Sequence, residues 1–314
     1  MSFPRGAWTF FRLSRLAVRS LSVLLIFLPL SCATVPETAG SARLRREPFA
    51  GIENGAAVYL MLDVPECRPL LEEVAKLPEL KELMKNPAKS IGKALDRTEA
   101  VAIAAFPAGA SRRFALIATG DYPSPWTALS LTMSREWKRA RDSEGRRYWR
   151  SDKGYSVALG NDPRSDLAFV SDGPPFPGSG SPVLPMAVER RLLASAAYGW
   201  MPVNESTFSG LPLSGLRLPV KELSFAMERA DGLYALSCIV SAASAREIKA
   251  LSSLVNLARI IGARDSSIPA MEIFGMLTEN PPVIEGNDLV FRSRPRSPAE
   301  LALLCARFSV YFTK

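Results

Sequence analysis

The sequence predicts an α+β fold, a mostly antiparallel sheet with helices packed on one face. Three observations carry that expectation. Short segments alternate apolar and polar residues, as at Glu222–Glu228, where Leu223, Phe225 and Met227 share a face. Turn residues join such segments into hairpins more often than helices join them into β-α-β crossovers. Helix-start signals then follow the hairpins, as in Ser244-Ala-Arg-Glu247.

At the amino end, residues 1–31 have the three-part layout of an export signal. Arg5, Arg12, Arg15 and Arg19 make a basic start. Leu21–Leu30 then supplies roughly ten apolar residues, about half of what a membrane-spanning helix needs. The run closes on Leu28-Pro29-Leu30-Ser31-Cys32. This segment resembles the signal of bacterial lipoprotein precursors, with Ser31 and Cys32 matching, Leu30 acceptable before them and Pro29 standing where leucine is usual. In that family the cysteine is thioether-linked to diacylglycerol and the signal is cleaved just before it. The resemblance therefore implies a lipid on Cys32 and a place in the bacterial cell envelope, facing the periplasm or the cell surface. An ordinary secretory signal cleaved near Ala33 is the competing reading. The family's sorting rule retains proteins with aspartate after the cysteine in the inner membrane, so Ala33 favours the outer membrane. Residues 32–50 read as the lipidated cysteine and a tether rich in poor helix formers. Its Arg43, Arg45 and Arg46 either rest on anionic headgroups or are plain solvated linker.

The mature part opens with a strand, Ala57–Val64, and a helix that Pro65 starts and Leu70, Leu71, Val74 and Leu77 stripe. Glu99–Phe106 and Arg112–Asp121 form a hairpin, and Pro125 opens a helix expected to run to about Arg139. Tyr155–Leu159 and Leu167–Ser171 flank Gly160-Asn161-Asp162, good turn chemistry because Gly and Asn accept positive φ. Residues 174–184 are a Pro/Gly/Ser-rich loop, and a helix is expected around Met186–Tyr198. Glu222–Glu228 and Leu233–Ala242 flank the turn Ala230-Asp231-Gly232. Ser244 caps a helix striped by Ile248, Leu251, Leu254, Val255, Ala258 and Ile261. Val283–Glu285 and Leu289–Ser293 flank a second Gly-Asn-Asp at 286–288, and Ser297-Pro-Ala-Glu300 caps a last helix.

Two ββα units, each followed by a Gly-Asn-Asp hairpin, occur in the same order. That pattern suggests an internal duplication, with a first half at 51–173 and a second at 185–314. The plainer alternative is that any α+β protein repeats hairpins.

Composition narrows the chemistry. The 314 residues include 39 basic and 31 acidic side chains, a net charge of +8. Removing the four arginines before Cys32 leaves +4, too mild to argue for nucleic acid. The chain has no histidine, which excludes Ser-His-Asp triads, Cys-His dyads and His-based zinc sites. Cys67, Cys238 and Cys305 permit at most one internal disulfide with one thiol left over, or are all reduced core residues, the reading preferred here. Ser90-Ile-Gly-Lys93 fits an S-x-x-K motif but lacks the K-T-G partner that chemistry needs. Gly178-Ser-Gly180 lacks the lysine of a P-loop, and the acids show no calcium-loop spacing. No catalytic residue, metal site or cofactor is assigned.

One surface stands out. Between Arg135 and Lys153 lie eight basic residues with Trp137, Tyr148 and Trp149 among them. Arg135, Lys138, Arg139, Arg146, Arg147, Trp149 and Arg150 form the candidate patch for an anionic lipid or glycan. The bland reading is a solvated helix end and hairpin whose aromatics point inward. Together these features read as a lipid-anchored, non-catalytic envelope protein of binding or structural type, held to a membrane by its anchor and binding a partner protein or another envelope component. The alternative is an envelope enzyme using carboxylate or Ser/Lys chemistry, for example on peptidoglycan.

Overall fold

The computed structural model describes residues 49, 51–78, 92, 95–107, 110, 113–122, 124–160, 167–176, 182, 195–203, 219–262 and 275–304. The signal with Cys32, the Ser90/Lys93 pair, Gly178–Gly180, Cys305 and most of the helix expected at Met186–Tyr198 lie outside them. In chain order the elements are β1 (Val58–Asp63), α1 (Val64–Val74), β2 (Thr98–Ala105), β3 (Phe114–Gly120) and α2 (Ser124–Met133). Next come β4 (Trp137–Arg141), β5 (Arg147–Ser151), β6 (Tyr155–Leu159), β7 (Leu167–Ser171) and β8 (Ala197–Pro202). The chain then continues through β9 (Glu222–Ala230), β10 (Leu233–Ser241), α3 (Ala245–Gly262), β11 (Val283–Glu285) and β12 (Asp288–Arg292).

All twelve strands join one sheet in the order β11-β12-β10-β9-β8-β1-β2-β3-β7-β6-β5-β4. Every strand pair is antiparallel. The expected α+β class with hairpin connections is therefore what the chain adopts. Hairpin chemistry explains much of the order. Asp231 (φ 52°) and Gly232 (φ 76°) form the tight β9–β10 turn, a conformation glycine and aspartate adopt at low cost. Gly286 (φ 64°) does the same between β11 and β12.

The helices share one face of this sheet, as the pattern predicted. Asp63 caps α1 by accepting from the Glu66 amide at 3.2 Å, with Pro65 in the first turn. The register carries Leu62, Ala197, Met227 and Leu236 onto one face, where α1 packs through Cys67, Leu70 and Leu71. On the same face α2 places Leu131 against Phe114, Leu116, Trp137 and Val157. Farther along, α3 lays Ile248 and Leu251 on Leu289, Phe291, Cys238 and Val240. Ser244 starts α3 by accepting from the Glu247 amide at 3.3 Å. Ser297 and Glu300 close a full capping box under a final helical turn at 298–304, whose Leu301 joins the α1 cluster.

The opposite face buries Tyr59, Met61, Tyr198 and Trp200 beneath Phe49, Ile52 and Phe106. Tyr59 stacks on Trp200 with ring centroids 5.2 Å apart. Gly199 in β8 lies opposite Phe225 in β9, and a Cβ there would overlap the Phe225 ring. That position accepts only glycine without repacking.

Two expectations need correction. The helix from Pro125 stops at Met133, and Trp137–Arg141 is a strand. Trp137 is buried with Leu131, so the backbone must leave the helix to turn its indole under α2. The second concerns Tyr198, read as the end of a helix, which sits in β8. That strand is buried over Ala197–Trp200, so its sequence lacks the alternation that marks a half-buried strand. Cys67 and Cys238 are free thiols, as expected. Among the described residues no helix is long and apolar enough to cross a membrane.

Candidate functional site

The site is built from α2 and the β4–β5 hairpin that follows it. Helix α2 is SPWTALSLTM, apolar on more than one side. A helix on a sheet can bury only one face, so the surplus must point away. Leu131 goes inward and is 2% exposed, whereas Trp126, Leu129 and Met133 are 65%, 47% and 76% exposed. Their spacing is i, i+3, i+7, which places all three on one outward stripe.

Thr132 ties this helix to the hairpin. Its hydroxyl accepts from Arg139 Nε at 3.1 Å and from Trp149 Nε1 at 3.2 Å, and donates to the Ala128 carbonyl at 2.7 Å. Ser134 follows and accepts from the Glu136 amide at 3.3 Å as the chain turns toward β4.

The hairpin splits the sequence-predicted patch between two faces. In β4–β5 the pairs are Trp137↔Ser151, Lys138↔Arg150, Arg139↔Trp149, Ala140↔Tyr148 and Arg141↔Arg147. Trp137 packs under α2, so alternation puts Arg139, Arg141, Arg147 and Trp149 on the helical side. Lys138 and Arg150 fall on the other side, with buried Tyr148. Arg146 belongs to the turn. Its Nε donates to Asp142 at 2.6 Å, a second nitrogen pairs with Glu144 at 3.2 Å, and its guanidinium lies 4.3 Å over the Phe176 ring. Arg135 is exposed between α2 and β4.

Sequence reasoning found the basic residues from their density but missed the Trp126–Leu129–Met133 stripe. Each apolar residue of α2 reads as core until the sheet shows which side is covered. The usable signal was a helix of ten residues with apolar side chains all round. A second outward pair, Leu254 and Leu257, lies exposed on α3, so Leu254 departs from the buried stripe of Ile248 and Leu251 expected of it. Among the described residues no group of three or more metal-ligating side chains comes together. Burial pushes the thiols of Cys67 and Cys238 up to about 12, and nearby Asp63 and Glu66 add to the effect at Cys67. Both shifts disfavour the nucleophilic thiolate.

Comparison with solved structures identifies the architecture. Crystal form III of TP0453 matches with a TM-score of 0.52, covering 82% of this chain and 97% of that one at 18% identity. Crystal form IV matches with a TM-score of 0.51, covering 80% and 92% at 19% identity. The chain has the TP0453 fold. A family model described as the outer membrane-associated lipoprotein TP0453 also matches residues 44–160, a stretch that contains both α2 and the hairpin. No curated protein sequence matches. The chain is thus similar to a lipoprotein family in its mature part, and resembles lipoprotein precursors in its signal. The two likenesses rest on separate residues.

Proposed function

We propose that this chain is a lipid-anchored, non-catalytic protein of the outer membrane whose mature domain lies on the bilayer through the outward face of α2. The exposed Trp126–Leu129–Met133 stripe is the observation that carries the reading. Three large apolar side chains on one helix face cost free energy in water, roughly 25 cal/mol for each Å² left wet. A lipid interface removes that cost and favours tryptophan in particular.

Cys32 supplies the attachment in this reading. Lipid chains contribute roughly 0.8 kcal/mol per buried methylene, and stable anchoring takes two signals. The stripe acts as a further contact. Sixteen residues separate Cys32 from Phe49, which is buried against the sheet. Such a length spans at most about 55 Å fully extended, ample for the domain to lie down on the surface it is tethered to. Outer-membrane placement is supported by the family similarity and by Ala33 after the cysteine.

The test uses the full lipidated chain in vesicles of neutral phosphatidylcholine with brominated acyl chains. Bromine quenches tryptophans that reach the hydrocarbon. The signal is the difference between the wild type and Trp126→Phe. Quenching of Trp126 is expected, with its loss in Leu129→Ser/Met133→Ser. Absence of Trp126-dependent quenching in the wild type would overturn docking through α2.

A further inference from the structure

We infer that the β4–β5 hairpin makes this docking selective for anionic phospholipid headgroups, held by Arg139, Arg141 and Arg147. The inference rests on the bilayer reading above and adds a ligand class to it.

Charge placement is the first observation. Lys138 lies directly across from Arg150, and Arg141 directly across from Arg147. Like charges opposite one another destabilise a sheet, and this five-residue pairing contains two such pairs. The local acids do not relieve them all. Asp142 and Glu144 are engaged by Arg146, and Asp152 pairs with Lys138 at 2.8 Å. Glu136, the remaining acid of the segment, sits at the α2–β4 turn. Of the eight basic groups between Arg135 and Lys153, six have no carboxylate partner among the described residues: Arg135, Arg139, Arg141, Arg147, Arg150 and Lys153.

Position is the second. Arg139, Arg141 and Arg147 share the helical side of the hairpin, next to the apolar stripe. Arg139 touches Thr132, the immediate neighbour of Met133. Strand geometry sets these three roots about 5–8 Å apart. A helix face that enters hydrocarbon at Trp126 and Met133 carries this row of guanidiniums to headgroup depth. Each guanidinium can hold a phosphate oxygen pair in its planar fork. An anionic headgroup would also offset the Arg141–Arg147 repulsion, which a zwitterionic headgroup with its own cation does less well.

The experiment keeps the Trp126 quenching signal and adds phosphatidylglycerol to the brominated vesicles. The docked-to-undocked ratio should rise by about five-fold for each arginine engaged, and high salt should reverse the rise. Arg141→Gln/Arg147→Gln should lose most of the gain while still docking on neutral vesicles and melting no lower than the wild type. Arg150→Gln, on the opposite side, should keep the gain. No rise with phosphatidylglycerol, or an equal loss in Arg150→Gln, would overturn the selectivity. Docking itself would stand in either case, because it is read on neutral vesicles.

Discussion

Leu129 and Leu131 are two residues apart on α2, yet the structure gives them opposite roles. Leu131 is 2% exposed and packs with Trp137, Phe114 and Leu116. Leu131→Ala should therefore cost about 2–5 kcal/mol, the range for emptying a core leucine site. In a domain of this size each kcal/mol lowers the melting temperature by about 2–4 °C, so a fall of about 4–20 °C is expected. Leu129 is 47% exposed and Met133 is 76% exposed. Leu129→Ser/Met133→Ser should cost only about 1 kcal/mol, mostly helix propensity and residual contact. On a bilayer the order reverses. Scaling about 2 kcal/mol of full side-chain burial by those exposures gives about 2–3 kcal/mol for the pair, or roughly 30–160-fold in docking. The assays are thermal unfolding of the full chain in mild detergent, followed by circular dichroism, and the Trp126 quenching measurement on vesicles. A double serine variant that melts as low as Leu131→Ala would refute the outward placement of the stripe. So would one that docks as well as the wild type.

Three further predictions follow from other parts of the molecule. Cys32→Ala should abolish incorporation of radiolabelled lipid and leave the precursor uncleaved; unchanged labelling would sink the anchor. Gly199→Ala should destabilise the domain because its Cβ meets the Phe225 ring, and Phe225→Leu should recover part of the melting temperature; no recovery would place the strain elsewhere. Cys67, buried with its thiol held near 12, should resist a disulfide reagent at pH 8 until the chain is denatured; rapid labelling in the native state would contradict its burial.

Much of the fold was legible because local chemistry and global packing agree. Alternation in β9 and β10, the Asp231-Gly232 turn and the Ser244 and Ser297 caps all appear where their residues ask for them. Sequence reasoning failed where tertiary burial overrides local pattern. Trp137–Arg141 carries three basic residues after a helix, and nothing in that pattern says that Trp137 must turn inward. Strand β8 at the centre of the sheet is covered on both faces, so its run of Ala, Tyr, Gly and Trp has no period to read. The site was half legible for the same reason. Density of arginine is a property of the sequence. Which arginines share a face is a property of the register, and it separates Arg139 and Arg147 from Lys138 and Arg150.

The strand order also bears on how such a site arose. Outward from the central β1–β8 pair, one side runs β1-β2-β3-β7-β6 and the other β8-β9-β10-β12-β11. A helix follows the third strand in each series, α2 after β3 and α3 after β10. The two central strands are antiparallel. Only a two-fold rotation normal to the sheet exchanges antiparallel neighbours and reverses the order, and such a rotation leaves the helices on one face. They are on one face. We propose on this ground an internal duplication, the reading that the repeated ββα order suggested. Under that reading α3 is the counterpart of α2, and its outward Leu254 and Leu257 correspond to the stripe. The β4–β5 hairpin extends only one end of the sheet and has no counterpart among the described residues of the other. The basic row beside α2 is then an addition to one copy of a symmetric scaffold. Both copies keep an apolar helix face, and the copy with the extra hairpin is the one equipped to sense headgroup charge.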